Sequence, residues 1–273
     1  MRAQQNNSTK MKTFRMFEMI MMAVLLCVNS TSCSKVDELP QYELVTSEKK
    51  LAKIEFTSSD PYIGLIEVWD FTYDSEGKLI EATFTDSYKN KINTKYTWSN
   101  NLINVHEKKN YNSDVTQDTE YEYTYNLKNG LVQDYGITYN EAKRPKEIMG
   151  TSVMWNEDML TKTSTPYKVS ENQTQFDVML YFYTENGIKC NGYNPFIPFQ
   201  LTDEDKDFLF IIHPEIAGMR SAQIPTSFLD DDLHAGMTQG TYIHRLDNEG
   251  YISEFRVKEK GSRIDYIYTM TWK

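Results

Sequence analysis

The chain predicts an all-β fold: a strongly curved antiparallel up-and-down meander of roughly ten to twelve strands. The sheet is expected to be partly open and barrel-like, with a short helical insertion covering or plugging its concave face. Three observations carry this reading. Apolar and polar residues alternate with period two from Leu51 to the C-terminus. Turns rich in Asp, Asn and Gly recur between the alternating runs. One interval, about residues 199–230, abandons the alternation for helical spacing.

Taken in chain order, the first segment is an export signal. Arg2, Lys10, Lys12 and Arg15 precede an apolar run of ten residues, Met19 to Val28. A membrane-crossing helix needs roughly 20 apolar residues, whereas a run of this length suits the core of a signal peptide. Ser30, Thr31 and Ser32 lead to Cys33, the arrangement that a lipoprotein signal peptidase cleaves. We therefore expect residues 1–32 to be removed, Cys33 to be acylated, and residues 33–48 to be a polar tether. Met11 opens a tidier signal sequence than Met1, so either is a possible start. Removing four basic residues and one acidic residue leaves 25 Lys+Arg against 38 Asp+Glu, a net charge of −13. Nucleic acid is excluded as a partner, because such affinity comes from Lys and Arg displacing counterions. Cys190 then has no disulfide partner, and packing alone must stabilise the domain.

Residues 49–273 read as one β domain. Ile54 and Phe56 alternate with Lys53, Glu55 and Thr57. The pattern returns in Ile92 to Trp98, Tyr121 to Tyr125, Phe176 to Tyr183, Tyr251 to Val257 and Ile264 to Trp272. β-Branched and aromatic side chains dominate these runs, as strands prefer. Between Val178 and Tyr183 both faces are apolar or aromatic, so something is expected to cover the strand's second side as well. Hairpin turns lie at Tyr73 to Leu79, Tyr125 to Leu131, Tyr183 to Ile188 and Leu246 to Ile252, with looser versions after Trp98, Tyr139 and Trp155. Each has an aromatic or Leu just before the turn and an aliphatic just after it, a degenerate hairpin repeat.

Within the insertion, Thr202 is placed to cap a helix whose first turn holds Glu204, Asp205 and Asp207. Phe208, Ile211, Ile212 and Ile216 follow at helical spacing, and Pro214 should end or re-aim the helix. The simplest role of the segment is to plug the hollow of the sheet.

The export signal, Cys33 with the acidic text SKVDELP after it, the Y-x-Y-(D/N)-x-x-G-x-L hairpins and the late helical insert before Gln223-Ile-Pro-Thr-Ser227 together resemble a family of Bacteroidetes lipoproteins. That family carries a domain of unknown function with a porin-like fold. The resemblance implies a curled antiparallel meander and an outer-membrane location, lipid-anchored and facing the cell surface, with the periplasmic face as the alternative. It implies no catalytic residues.

The residues add no enzyme of their own. No HExxH, GxSxG, CxxC or Gly-rich phosphate loop occurs. His213, His234 and His244 would have to converge with carboxylates to make a site, and a hydrolase is only the third reading. Asp230-Asp231-Asp232-Leu-His234 lacks the spaced oxygens and the glycine of a calcium loop and reads as a solvated acidic loop. No metal or cofactor is expected. Aromatics at strand ends could carry binding: Trp98, Trp155, Tyr123 and Tyr125 are the candidate ligand-binding residues. The expected function is a non-catalytic envelope module that binds a glycan, a peptide or an envelope protein. A structural component of a surface complex is the alternative.

Overall fold

Asp-led turns organise the hairpins. In the computed structural model, one carboxylate oxygen of Asp74 accepts the backbone N–H groups of Glu76 and Lys78, both at 2.9 Å. Asp86 does the same for Tyr88 and Asn90, and Asp247 for Glu249 and Tyr251. These are Asx turns, in which a short side chain satisfies the amides that a reversing backbone strands. The structure describes residues 49–60, 62, 64–111, 118–170, 173–185, 187–201, 208–232 and 236–273. The signal sequence, Cys33, the tether, Thr202, Glu204, Asp205, Asp207 and His234 lie outside them.

Among the described residues sixteen strands join one antiparallel sheet. They are β1 (Leu51–Ser58), β2 (Leu65–Tyr73), β3 (Leu79–Asp86), β4 (Lys91–Ser99), β5 (Leu102–Asn110), β6 (Thr119–Lys128), β7 (Leu131–Val132) and β8 (Thr138–Tyr139). After these come β9 (Pro145–Ile148), β10 (Thr151–Asn156), β11 (Met159–Ser170), β12 (Gln173–Phe182), β13 (Ser227–Asp232), β14 (Gly236–Leu246), β15 (Ile252–Glu259) and β16 (Asp265–Trp272). Each strand ladders with its chain neighbours, save β7 with β8, and β1 pairs with β16, so the two ends of the domain are zipped together. Lys50 and Lys273 exchange backbone hydrogen bonds at 2.7 and 2.9 Å. The rim that carries them is the lower rim.

β7 and β8 are the two edges of the sheet, yet only residues 133–137 separate them in the chain. The sheet must therefore curl until its edges meet. No ladder closes the seam; the Tyr139 hydroxyl instead donates to the Val132 carbonyl at 2.8 Å. Val132 is fully buried, so Tyr139→Phe leaves a carbonyl without its donor. We expect a loss of about 1–3 kcal/mol in a urea melt.

That bond belongs to a series around the lower rim. Tyr73, Trp98, Tyr139, Trp155, Tyr183 and Trp272 each stand at or beside the end of a descending strand. Each donates its O–H or N–H to the carbonyl of the first or second residue of the preceding strand: Leu51, Leu79, Val132, Pro145, Leu160 and Ile252, at 2.5–2.9 Å. Register slips at Tyr73, Tyr139 and Trp155 supply the twist that re-aims a side chain toward its neighbour. The hairpin repeat of the sequence is thus a girdle of aromatic locks.

The hollow is filled from below by the segment between β12 and β13. It enters as a short ribbon, with Cys190 N–H bonded to Ala222 O and Ile224 N–H to Ile188 O. It then forms α1 (Phe196–Leu201), α2 (Phe208–Ile212) and a 3-10 turn, Pro214–Ala217. Three of its aromatics reach different walls. Phe196 stacks on Phe255 at 4.1 Å, Phe208 meets Phe71 edge-on at 6.2 Å, and Phe210 lies 5.4 Å from Tyr125. Every residue of α2 is buried. Pro214 ends that helix as expected, and Gly218, at φ 66°, turns the chain out under the Lys143 carbonyl where no side chain fits.

Three expectations need correction. Strands among the described residues number sixteen, not ten to twelve, because β7, β8 and β9 hold only two to four residues and show no period. The insertion begins its first helix at Phe196 and gives way to β13 at Ser227. Asp230 and Asp231 therefore lie in a strand laddered on both sides, and Asp232 is laddered to β14, so the run is not an acidic loop. Finally, the two faces of β12 are not both covered: nothing among the described residues lies over the face where Phe176 and Phe182 stand 51% and 45% exposed. The plug covers the Tyr181 side, the inner one.

Candidate functional site

The inner face of β4, β5 and β6 grades from oil to water. Next to the plug, Trp98, Ile103 and Tyr125 form one rung across the three strands. Above it come Tyr96, Val105 and Tyr123, and above those Thr94, Glu107 and Tyr121. Along β6 the exposure of the inward tyrosines rises from 3% at Tyr125 to 37% at Tyr123 and 50% at Tyr121. Glu107 is nearly buried and pairs with Lys109 at 3.1 Å. The Lys109 ammonium in turn lies 5.4 Å over the Tyr121 ring. Thr94 is 1% exposed, and its hydroxyl has no hydrogen-bond partner among the described residues.

Of the four aromatics singled out in the sequence, the fold joins Tyr123 and Tyr125, whose rings meet edge-on at 5.5 Å. Tyr125 sits under Tyr123 against Phe210 and faces the plug. Trp98 and Trp155 are on β4 and β10, each half-buried in the girdle with its indole N–H given to a backbone carbonyl. The Arg144 guanidinium lies 4.9 Å over the Trp155 ring. Tyr121 and Lys109 are not among the candidates that the sequence offers; the alternation of Tyr121, Tyr123 and Tyr125 contains Tyr121, and no sequence signal marks Lys109.

On the β12–β16 side, burial pushes the phenols of Tyr181, Tyr242 and Tyr268 far above their ordinary range. They remain neutral hydrogen-bonding groups at any working pH. The carboxylates of Asp230 and Glu67 lie close enough to Tyr181 and Tyr268, respectively, to raise them further.

Groups with catalytic potential are dispersed. Burial pushes the Cys190 thiol up to about 12, far from the thiolate a nucleophile needs. His106 is half-buried, 3.6 Å from Glu120. His244 is half-buried on β14, and desolvation holds its imidazole below the usual histidine value. His213 does meet a carboxylate: its Nδ1 is 2.9 Å from Glu215 Oε1. Its Nε2 accepts the Leu79 N–H at 3.1 Å. With both nitrogens engaged and both side chains under a tenth exposed, this pair ties the plug to β3 and offers no face to a substrate. Among the described residues no three His, Cys, Asp or Glu side chains could hold a metal ion.

No protein-family model matches the chain. A search of curated proteins finds no match either. Among solved structures, the chain is similar to a porin-like protein from Bacteroides vulgatus ATCC 8482, with a TM-score of 0.43 and 12% identity over 82% of this chain and 98% of that one. It is also similar to a porin-like protein from Bacteroides uniformis ATCC 8492, with a TM-score of 0.45 and 15% identity over 82% of this chain and 96% of that one.

Proposed function

We propose that the protein is a non-catalytic binding module of the bacterial cell envelope, anchored to the outer membrane by lipid on Cys33 and displayed at the cell surface. Its ligand, a glycan or an extended peptide, lies against the upper inner wall of the cup. The graded wall of β4–β6 carries this reading. A sealed floor, a carboxylate and an ammonium set among half-exposed tyrosines form a concave surface with an apolar body and a few polar groups, the usual make-up of a ligand site. The outer face supports an anchored protein over a membrane-spanning one. It carries Lys53–Glu55 and Arg256–Glu254 pairs, and a lysine on a lipid-facing strand costs about 2–4 kcal/mol at the bilayer midplane.

The test is a thermal-shift series against polysaccharides, oligosaccharides and peptides. Ligand at a hundredfold excess over its dissociation constant adds about 2.7 kcal/mol to the native state, and Tyr121→Ala and Tyr123→Ala should each abolish the shift while the unliganded protein still melts cooperatively. A ligand shift that survives both substitutions would place binding elsewhere. In cells, Cys33→Ser should release the protein from the membrane fraction and end its labelling by fatty acid. Retention of either property would refute the anchor.

A further inference from the structure

The outward faces of β12, β13, β14 and β15 form a groove of about 570 Å³, remote in the sheet order from the wall of β4–β6. Its composition follows from register. Phe182, Ser227, Thr241 and Lys258 stand side by side on one rung. On the neighbouring rung Leu229 faces Gln239, and Lys260 bonds its N–H to the Gln239 carbonyl. The groove therefore runs from an aromatic wall, across hydroxyls and an amide, to two ammonium groups. Three strand spacings separate its ends, about 14 Å.

From these residues we propose that the groove binds an oligosaccharide carrying a carboxylate. Phe182 is 45% exposed and offers its ring face for a sugar to stack on. Ser227, Gln239 and Thr241 make no side-chain hydrogen bonds among the described residues and match sugar hydroxyls. Lys258 and Lys260 share the outer face; Glu259 also borders the groove, but strand alternation turns its side chain to the other side, opposite Gly240. Lys258 meets Asp265 only at 3.8 Å, and Lys260 has no ion-pair partner among the described residues. In a chain of net charge −10, two adjacent and weakly compensated ammonium groups reverse the local sign and select an anion. A peptide is disfavoured by the sheet itself. All four strands are laddered on both sides, so no free N–H or C=O row can accept an added strand. Recognition has to come from side chains, and these are the side chains that read sugars.

The test titrates the full-length protein, purified in detergent, with trigalacturonate by calorimetry. Its methyl-esterified form and hexaglutamate are the controls. Trigalacturonate should bind, the ester should bind at least tenfold more weakly, and hexaglutamate should not bind measurably. Raising salt from about 50 to 500 mM should weaken the acidic saccharide and not the ester, since screening acts on exposed charge pairs. Phe182→Ala should cost tenfold or more for both saccharides. The double change Lys258→Gln, Lys260→Gln should equalise them. All three positions are exposed, so an unchanged melting temperature shows that the fold is intact. Absence of trigalacturonate binding, equal binding of hexaglutamate, or indifference to Phe182→Ala would each overturn the proposal. Tyr123→Ala should leave this titration unchanged, so the groove and the inner wall are tested independently.

Discussion

Excision of Tyr193–Ser221 is expected to abolish cooperative unfolding. The cut is placed so that only the plug is lost. Cys190 and Ala222 are already hydrogen-bonded partners of a ribbon, and Asn191-Gly192 remains between them as a two-residue turn of the kind that hairpins favour. The loss is large on any scale. Phe196, Ile197, Phe208, Leu209, Phe210 and Ile211 are all at most 2% exposed, and each such side chain contributes roughly 1.5–3 kcal/mol by burial. Their sum matches or exceeds the roughly 5–15 kcal/mol by which a whole domain is stable. The inner faces of Phe71, Tyr125 and Phe255 would meet water as well. The excised chain should retain sheet signal in the far ultraviolet, bind a hydrophobic dye and aggregate on warming. A cooperative melt like that of the intact chain would show that the wall stands without the plug. Phe210→Ala is the graded form of the same experiment, with an expected cost of about 3–5 kcal/mol.

What could be read in the residues was the local chemistry, and what could not was the partner of each group. The Asp74-x-x-Gly77 and Asp247-x-x-Gly250 turns are legible because an Asx turn is satisfied within five residues. The aromatic ahead of the turn is equally visible, but its purpose is not. The acceptor for Trp98 is 19 residues back and the acceptor for Trp272 is 20 residues back, on the neighbouring strand. A half-buried indole tied to a carbonyl and an exposed indole waiting for a sugar look alike in a sequence. Trp98 and Trp155 entered as binding candidates on that ground, and the fold gives both a place in the girdle. The Asp230 run misled for a related reason. Charge usually marks solvent, yet a strand paired on both sides keeps its backbone bonds whatever its side chains, and alternation turns Asp230 toward the phenols of Tyr181 and Tyr242. Lys258 and Lys260 were legible only as the polar half of an alternation. Their meeting with Phe182 depends on two intervening strands, one of which the acidic run concealed.

His213→Phe should lower the melting temperature on the order of 10 °C, although no solvent-facing group is touched. The bond pattern fixes the tautomer of the imidazole. The Leu79 N–H can only donate, so His213 Nε2 must present its lone pair. The imidazole proton then sits on Nδ1 and points at Glu215. The Leu79 carbonyl takes the Trp98 N–H at 2.7 Å, and the Trp98 ring stands edge-on to His213 at 5.1 Å. One residue of β3 thus joins the plug to the girdle. Phenylalanine fills nearly the same space, so packing changes little while two polar groups lose their partners. The Leu79 amide loses its acceptor and the Glu215 carboxylate its donor, both in a buried setting. Leaving a buried group without its hydrogen-bond partner costs about 1–3 kcal/mol, and more where that group is a carboxylate. The companion variant separates this from a simple packing defect. His213→Phe combined with Glu215→Leu removes the stranded carboxylate and should recover much of the loss, leaving chiefly the unsatisfied Leu79 amide at about 1–3 kcal/mol. If the double variant is as unstable as the single one, the deficit lies in ring shape and not in the carboxylate, and the pair is not what fastens the plug to β3.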